Sequence, residues 1–299
     1  MRPLRALVIY ILVVFVGGAL IAPWLYWLAQ SLAHVFPKIV GSPFRRFVDR
    51  SFLILALAGL WPLLRALGAT SWRETGVVAP YGQTKKLFGG AMLGFFSLAT
   101  VAAIALVCGE RAFNPNLTAH KLIGTFFSAI GTAIVVATLE EILFRGGIFG
   151  GLKRVLHWPF ALLISSAIYA LVHFLQRVEY NDPVAWNSGL AILPQMLRGF
   201  ADFEMLVPGF FNLTLAGILL GLAFHRTGNL YFSIGLHGGW IFWLKSYGAL
   251  THPVEGSSIW FWGSNKMIDG WLAFIVLALT LALFRFLPLG EKRSPFNIP

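Results

Sequence analysis

Charged side chains interrupt one of the most apolar stretches of the chain. In "ATLEEILFRGGIFGGL", residues 137 to 152, Glu140, Glu141 and Arg145 stand among Ile, Leu, Phe and Gly. On a helix Glu141 and Arg145 lie four apart with the acid on the N-terminal side, the orientation that favours a pair. In a low-dielectric setting one arginine neutralises one carboxylate, ideally through a two-pronged contact. Glu140 points about 100° away around the helix. It needs either a proton or another partner.

Histidines are the partners at hand. His173 in "SSAIYALVHFL" and His237 in "SIGLHGGWIF" lie inside apolar runs, whereas His34, His120, His157, His225 and His252 fall at run ends or in connections. A hairpin turning near Val155–His157 places His173 level with Glu140. The segment "RTGN", residues 226–229, reads as a tight turn. From it His237 climbs about 12 Å along its helix, within one or two turns of Glu140. One carboxylate and two imidazoles converging in a wet cavity between helices form a functional-site signature.

Such a set holds and deprotonates a water. Glu140 serves as general base, and the second imidazole, as imidazolium or bound to a metal, stabilises a developing oxyanion. Glu140, His173 and His237 also make a three-ligand set with an open position, as catalytic zinc requires. There is no G-x-S-x-G and no H-E-x-x-H, and the single cysteine, Cys108, sits at the far end of another span. An internal disulfide and a multi-cysteine metal site are therefore excluded. Hydrolysis of an acyl bond by activated water is the reaction class these residues suit.

The elements that must position them are membrane helices. The 299-residue chain is 58% hydrophobic and 12% charged, about half the charge of a soluble domain, which carries about 25%. Its uncharged runs predict an all-α, polytopic transmembrane helical bundle of about eight spans, near 6–28, 49–68, 87–108, 122–152, 155–176, 205–225, 229–248 and 269–288. A barrel would not give runs this long. The fourth span is roughly 45 Å long if continuous, so part of it tilts or projects. The active-site cavity is expected between spans four, five and seven. One integral membrane domain, 1–299, carries a catalytic core over 120–245, with no internal repeat.

The net charge of +11 and pI near 10.2 come from basic residues flanking the spans: "MRPLR", Lys85 and Lys86, "LKR" at 152–154, Arg226 and "EKR" at 291–293. Anionic headgroups account for them and a nucleic-acid partner is not needed. Their distribution predicts both termini on the cytoplasmic side. The first apolar run exceeds a signal-peptide core and reads as a retained span. The connections at 177–204 and 249–268, rich in Trp, Tyr and Phe, are expected at the membrane interface.

Taken together, the motifs resemble the CAAX protease and bacteriocin-processing (CPBP, Abi) family of intramembrane endopeptidases, related to the CAAX prenyl endopeptidases. That family shows E-E-x-x-x-R, then F-x-x-x-H, then H-x-x-x-N/D on successive membrane helices. Here they stand as Glu140, Glu141 and Arg145; Tyr169 through His173, with Tyr for Phe; and His237 through Ile241, with Ile for Asn or Asp. The resemblance covers about 120 to 245. It implies that Glu140 and His173 activate the water, that Arg145 holds Glu141, and that His237 stabilises the oxyanion, with Tyr169 in support. It implies a membrane-associated protein or peptide substrate in the bilayer of a bacterial plasma membrane.

Ile241 can neither ligate nor hydrogen-bond, which favours a metal-free site over a zinc one. Thr214 or Asn212 on the sixth span would be the substitute polar group. Two other readings stay open: a catalytically inactive relative acting as an immunity or scaffold protein, and a proton-coupled transporter, which would call for repeated halves. Nothing in the connections selects among lipidated tails, bacteriocin leaders, sorting tails or anti-sigma factors.

Overall fold

The computed structural model describes residues 2–289 except 33, 36–38, 40, 69, 70, 177 and 288, and for residues 2–4 it describes the backbone alone. The basic tail residues Lys292 and Arg293, and with them the C-terminus, lie outside the described residues. In chain order the elements are α1 (2–31), α2 (Phe44–Ala66), α3 (Thr84–Val107), β1 (Arg111–Phe113), α4 (Ala119–Leu152), α5 (Trp158–His173) and α6 (Ser188–Met196). They continue as α7 (Phe203–Thr227), α8 (Tyr231–Leu250), β2 (Thr251–Pro253), α9 (Ile259–Trp262) and α10 (Trp271–Phe284).

The protein is an all-α membrane bundle. Each expected span contains a helix, and among the described residues five of them (α1, α2, α3, α4 and α7) are long and apolar enough to cross a membrane. The chain divides into two compact units: Met1–Ala69 with Val172–Asp202, and Thr70–Leu171 with Phe203–Pro299. In the first, α1 contains a π-helical stretch, Val13–Gly17. Tyr10 donates its hydroxyl to the Ala56 carbonyl at 2.9 Å, and Ala22, Phe44, Val48, Ile192 and Met196 share a core.

The second unit is organised around α8. Helix α3 meets it backbone to backbone: a Cβ on Gly94 would lie 2.1 Å from the Leu236 carbonyl oxygen, and one on Gly235 would lie 2.0 Å from that of Leu87. Gly90 and Gly94 on α3 thus face Gly235 and Gly239 on α8, a spacing of four on both sides. Small residues at this spacing let membrane helices touch, and the close approach maximises van der Waals contact where lipid offers no hydrophobic drive. Trp240 Nε1 donates to Ser97 Oγ at 2.8 Å and fixes the register of the two helices. On another side of α8, Ile241 packs against Ala133 and Ala137 of α4.

Turns and caps follow local chemistry. Thr118 accepts the Lys121 N–H and starts α4. Between α7 and α8, Gly228 adopts φ +68°, the left-handed region that glycine enters without cost. Asn229 Oδ1 then accepts the Tyr231 N–H, so "RTGN" forms the expected tight turn.

Some features differ from the sequence expectations. A two-stranded antiparallel ribbon pairs Arg111 with Pro253 and Phe113 with Thr251, tying together two connections that read as unrelated. Its anchor is the buried Arg111, which donates to Thr251 Oγ1 and O and to Asn265 Oδ1 while lying 4.2 Å from the Tyr247 ring centroid. Burial holds the Arg111 pKa below its ordinary value, against the raising influence of Tyr247 and Asp269. Arg226, read as a headgroup contact, instead donates to the Phe284 and Leu287 carbonyls and closes the end of α10. Lys153 is likewise not free for headgroups. It is buried at 8% exposure, over the Phe149 and Phe224 rings, with Nζ 3.0 Å from His225 Nδ1. Burial pushes its pKa down to about 8.

Candidate active site

The backbone under the charged cluster is unusual. Helix α4 is α-helical through Glu141, becomes π-helical over Ile142–Phe149, and returns to α-helix at Gly150–Leu152. An extra residue per turn rotates everything downstream by about 100° and shortens the rise, and such turns recur at functional sites. Lys153, downstream of the π stretch, accordingly faces inward and is buried. Gly146 is needed here, because a Cβ would sit 2.8 Å from the Thr75 carbonyl oxygen.

Glu141 is fully buried and is the hub of the cluster. Its Oε1 lies 3.0 Å from Arg145 Nη1 and 3.0 Å from His237 Nδ1. A carboxylate only accepts, so His237 donates its Nδ1–H, and the ring's other nitrogen faces the opposite way. Nε2 lies 3.3 Å from the Tyr169 hydroxyl and 3.8 Å from Glu140 Oε2. Arg145 lies over the Tyr169 ring with Cζ 4.4 Å from the centroid, and Phe144 meets that ring edge-on at 5.0 Å. Arg145, Glu141, His237 and Tyr169 therefore form a closed circuit, with the side chains of Arg145 and His237 at 3% and 5% exposure. Glu140 stands beside it at 26% exposure, the more accessible of the two acids.

The structure thus brings Glu140, Glu141, Arg145, Tyr169 and His237 together in the second unit. It does so with an added contact: Arg145 does not have Glu141 to itself, since the same oxygen also takes His237. His173 is the last residue of α5, exposed, about 6 Å of helical rise beyond Tyr169. It falls in the first unit. Asn212 is not the substitute for a polar residue at 241. Its amide donates to the Ile268 and Gly270 carbonyls, both at 2.9 Å, and holds the turn before α10. The Glu141–His237 contact spans 96 residues and had no local signal; the pairing rule for residues four apart accounts for Arg145 alone.

Among the described residues no three His, Cys, Asp or Glu side chains gather as a metal would need. In this unit Glu140 and His237 offer two donors, one fewer than catalytic zinc usually takes, and Nε2 already has the Tyr169 hydroxyl beside it.

Comparison with known families bears directly on this segment. Residues 122–243 match the family model described as Type II CAAX prenyl endopeptidase Rce1-like. The chain thus carries, over less than half of its length, a segment similar to the Rce1-like type II CAAX prenyl endopeptidases. No curated protein and no solved structure matches the chain. The Rce1-like segment runs from α4 into α8 and holds every member of the cluster. It supports a CAAX-type endopeptidase acting on a peptide in a membrane setting. Helix α3, which abuts α8, lies before it.

Ile241, at 6% exposure, fills a pocket lined by Ala133 and Ala137. Ile241→Asn places an amide there among apolar groups, at about 1–3 kcal/mol. The variant is expected to melt at lower temperature and to gain no activity. A rise in activity, measured on purified protein in bilayers, would show instead that the site lacks a polar group.

Proposed function

We propose that the protein is an intramembrane endopeptidase that cleaves a membrane-associated peptide with a water activated by Glu140. The observation that carries this reading is the division between adjacent acids. Glu141 is buried and committed to Arg145 and His237, while Glu140 retains accessible surface and faces His237 Nε2 at 3.8 Å. One carboxylate organises the cluster and the more accessible one takes the proton, the pattern by which paired acids acquire separate roles.

In the proposed reaction the water oxygen attacks the scissile carbonyl carbon and gives its proton to Glu140. The carbonyl electron pair moves onto oxygen. Two carboxylates against one guanidinium leave a negative charge that an imidazolium at His237 balances, and Nε2–H then donates to the oxyanion. Collapse expels the amine, which takes the proton back from Glu140. Glu141 orients His237 as a carboxylate orients the histidine of a hydrolase triad. No step is assigned to a metal. The substrate class suggested by the Rce1-like segment is a peptide with a prenylated C-terminal tail.

The test is cleavage of a farnesylated C-terminal peptide by the protein in bilayers, run in ¹⁸O-labelled water. The new carboxylate is expected to carry one label after a single turnover. An intact peptide across a panel of lipidated and unlipidated membrane peptides would overturn the reading, and so would a product without label.

A further inference from the structure

We infer that the Tyr169 hydroxyl is the positioning group that keeps His237 and Glu140 from closing on each other; the inference rests on the water-activation reading above. The geometry sets up a competition at one nitrogen. His237 is tethered by Nδ1–H to Glu141 Oε1 at 3.0 Å, so the ring can still rock about that contact. Its Nε2 has two polar neighbours, the Tyr169 hydroxyl at 3.3 Å and Glu140 Oε2 at 3.8 Å. The Glu140 distance is beyond hydrogen-bonding range, and about 1 Å of movement would bring it within range. A direct contact there would be charge-assisted and short. It would spend the general base on the group meant to stabilise the oxyanion.

The hydroxyl prevents this by taking Nε2 first. It can accept from an imidazolium or donate to a neutral ring, so it holds the ring in either protonation state. Tyr169 is itself fixed: it is 3% exposed, its ring lies under the Arg145 guanidinium at 4.4 Å, and Phe144 packs edge-on against it at 5.0 Å. Arg145 is in turn paired with Glu141. The hydroxyl is thus placed by the same ion pair that tethers the other side of His237. A phenylalanine would preserve the ring contacts and remove the hydroxyl from both His237 Nε2 and the Arg145 guanidinium. Serving an interposed water, Glu140 stays a base because the nearest hydrogen-bond partner of His237 Nε2 is Tyr169.

Tyr169→Phe isolates the hydroxyl. With the farnesylated peptide in bilayers, kcat is expected to fall at least tenfold while KM stays within twofold and the melting temperature shifts by only a few degrees. A second readout needs no substrate. In protein labelled with ¹⁵N at histidine, the His237 signals, identified by their loss in His237→Gln, are expected to show Nε2 moving in Tyr169→Phe while Nδ1 stays put. An unchanged kcat overturns the inference, as does an unmoved Nε2 signal. Failure of the underlying reading looks different: Glu140→Gln then retains full activity, whatever Tyr169→Phe does to the histidine signals.

Discussion

Glu140→Gln is expected to fold normally and to lose turnover by about 10²–10⁴-fold, the range that a positioned general base contributes. The substitution keeps the shape of the side chain and removes its ability to take a proton. At 26% exposure Glu140 is more accessible than the buried Glu141–Arg145 pair. Melting temperature should therefore change little, and KM should stay close to that of the parent. The measurement is single-turnover cleavage of the farnesylated peptide in bilayers, beside a melting curve for each protein. Full activity in Glu140→Gln would exclude this acid as the base. A large drop in melting temperature would assign it to the scaffold instead.

Arg145→Met produces the second large effect, on stability as much as on turnover. It leaves Glu141 at 0% exposure without its guanidinium, and breaking a buried pair on one side costs about 3–5 kcal/mol. It also removes the cation over the Tyr169 ring. The expected outcome is a protein that melts well below the parent and has no measurable activity. Glu141→Gln with Arg145→Met should recover much of the melting temperature, since removing both charges is far cheaper than stranding one, yet it should not recover activity, because His237 then lacks its carboxylate. Equal melting temperatures in the single and double variants would show that the charge of Glu141 is not stabilised by Arg145.

Much of the architecture is legible in the residue pattern for a simple reason. Lipid permits few backbone solutions, so long uncharged runs announce helices, and helices stand at all eight expected segments. The neighbourhood of Glu141 and Arg145 is legible for a related reason, since four residues on one helix is a local distance. What could not be read depends on rotation and depth. The π turns at Ile142–Phe149 have no sequence mark beyond nearby glycines, and they decide where Lys153 faces. That Glu141 serves His237 as well as Arg145 follows from how α8 is rotated against α4, which no spacing rule encodes. The anchoring of Arg111 by Thr251 and Asn265 joins residues 140 and 154 positions apart, and basic residues near span ends read alike whether they face headgroups or a neighbouring loop. Tyr169 is the sharpest example. As a ring in a recognisable motif it reads as a mild exchange, whereas its oxygen turns out to sit beside the nitrogen of His237.

The glycine contact between α3 and α8 has a consequence for the order in which the site comes into being. Ser97 and Trp240, which lock that contact, are 143 residues apart, and His237 meets Glu141 across 96. Pairings this distant form late, because the long intervening chain must first be ordered. During synthesis α3 and α4 enter the bilayer long before α8 exists, and until α8 docks on the bare backbone at Gly94 the two acids have no histidine in place. A chain that stops short of α8 therefore holds the two acids and Arg145 without His237, and the cluster is complete only once α8 has docked.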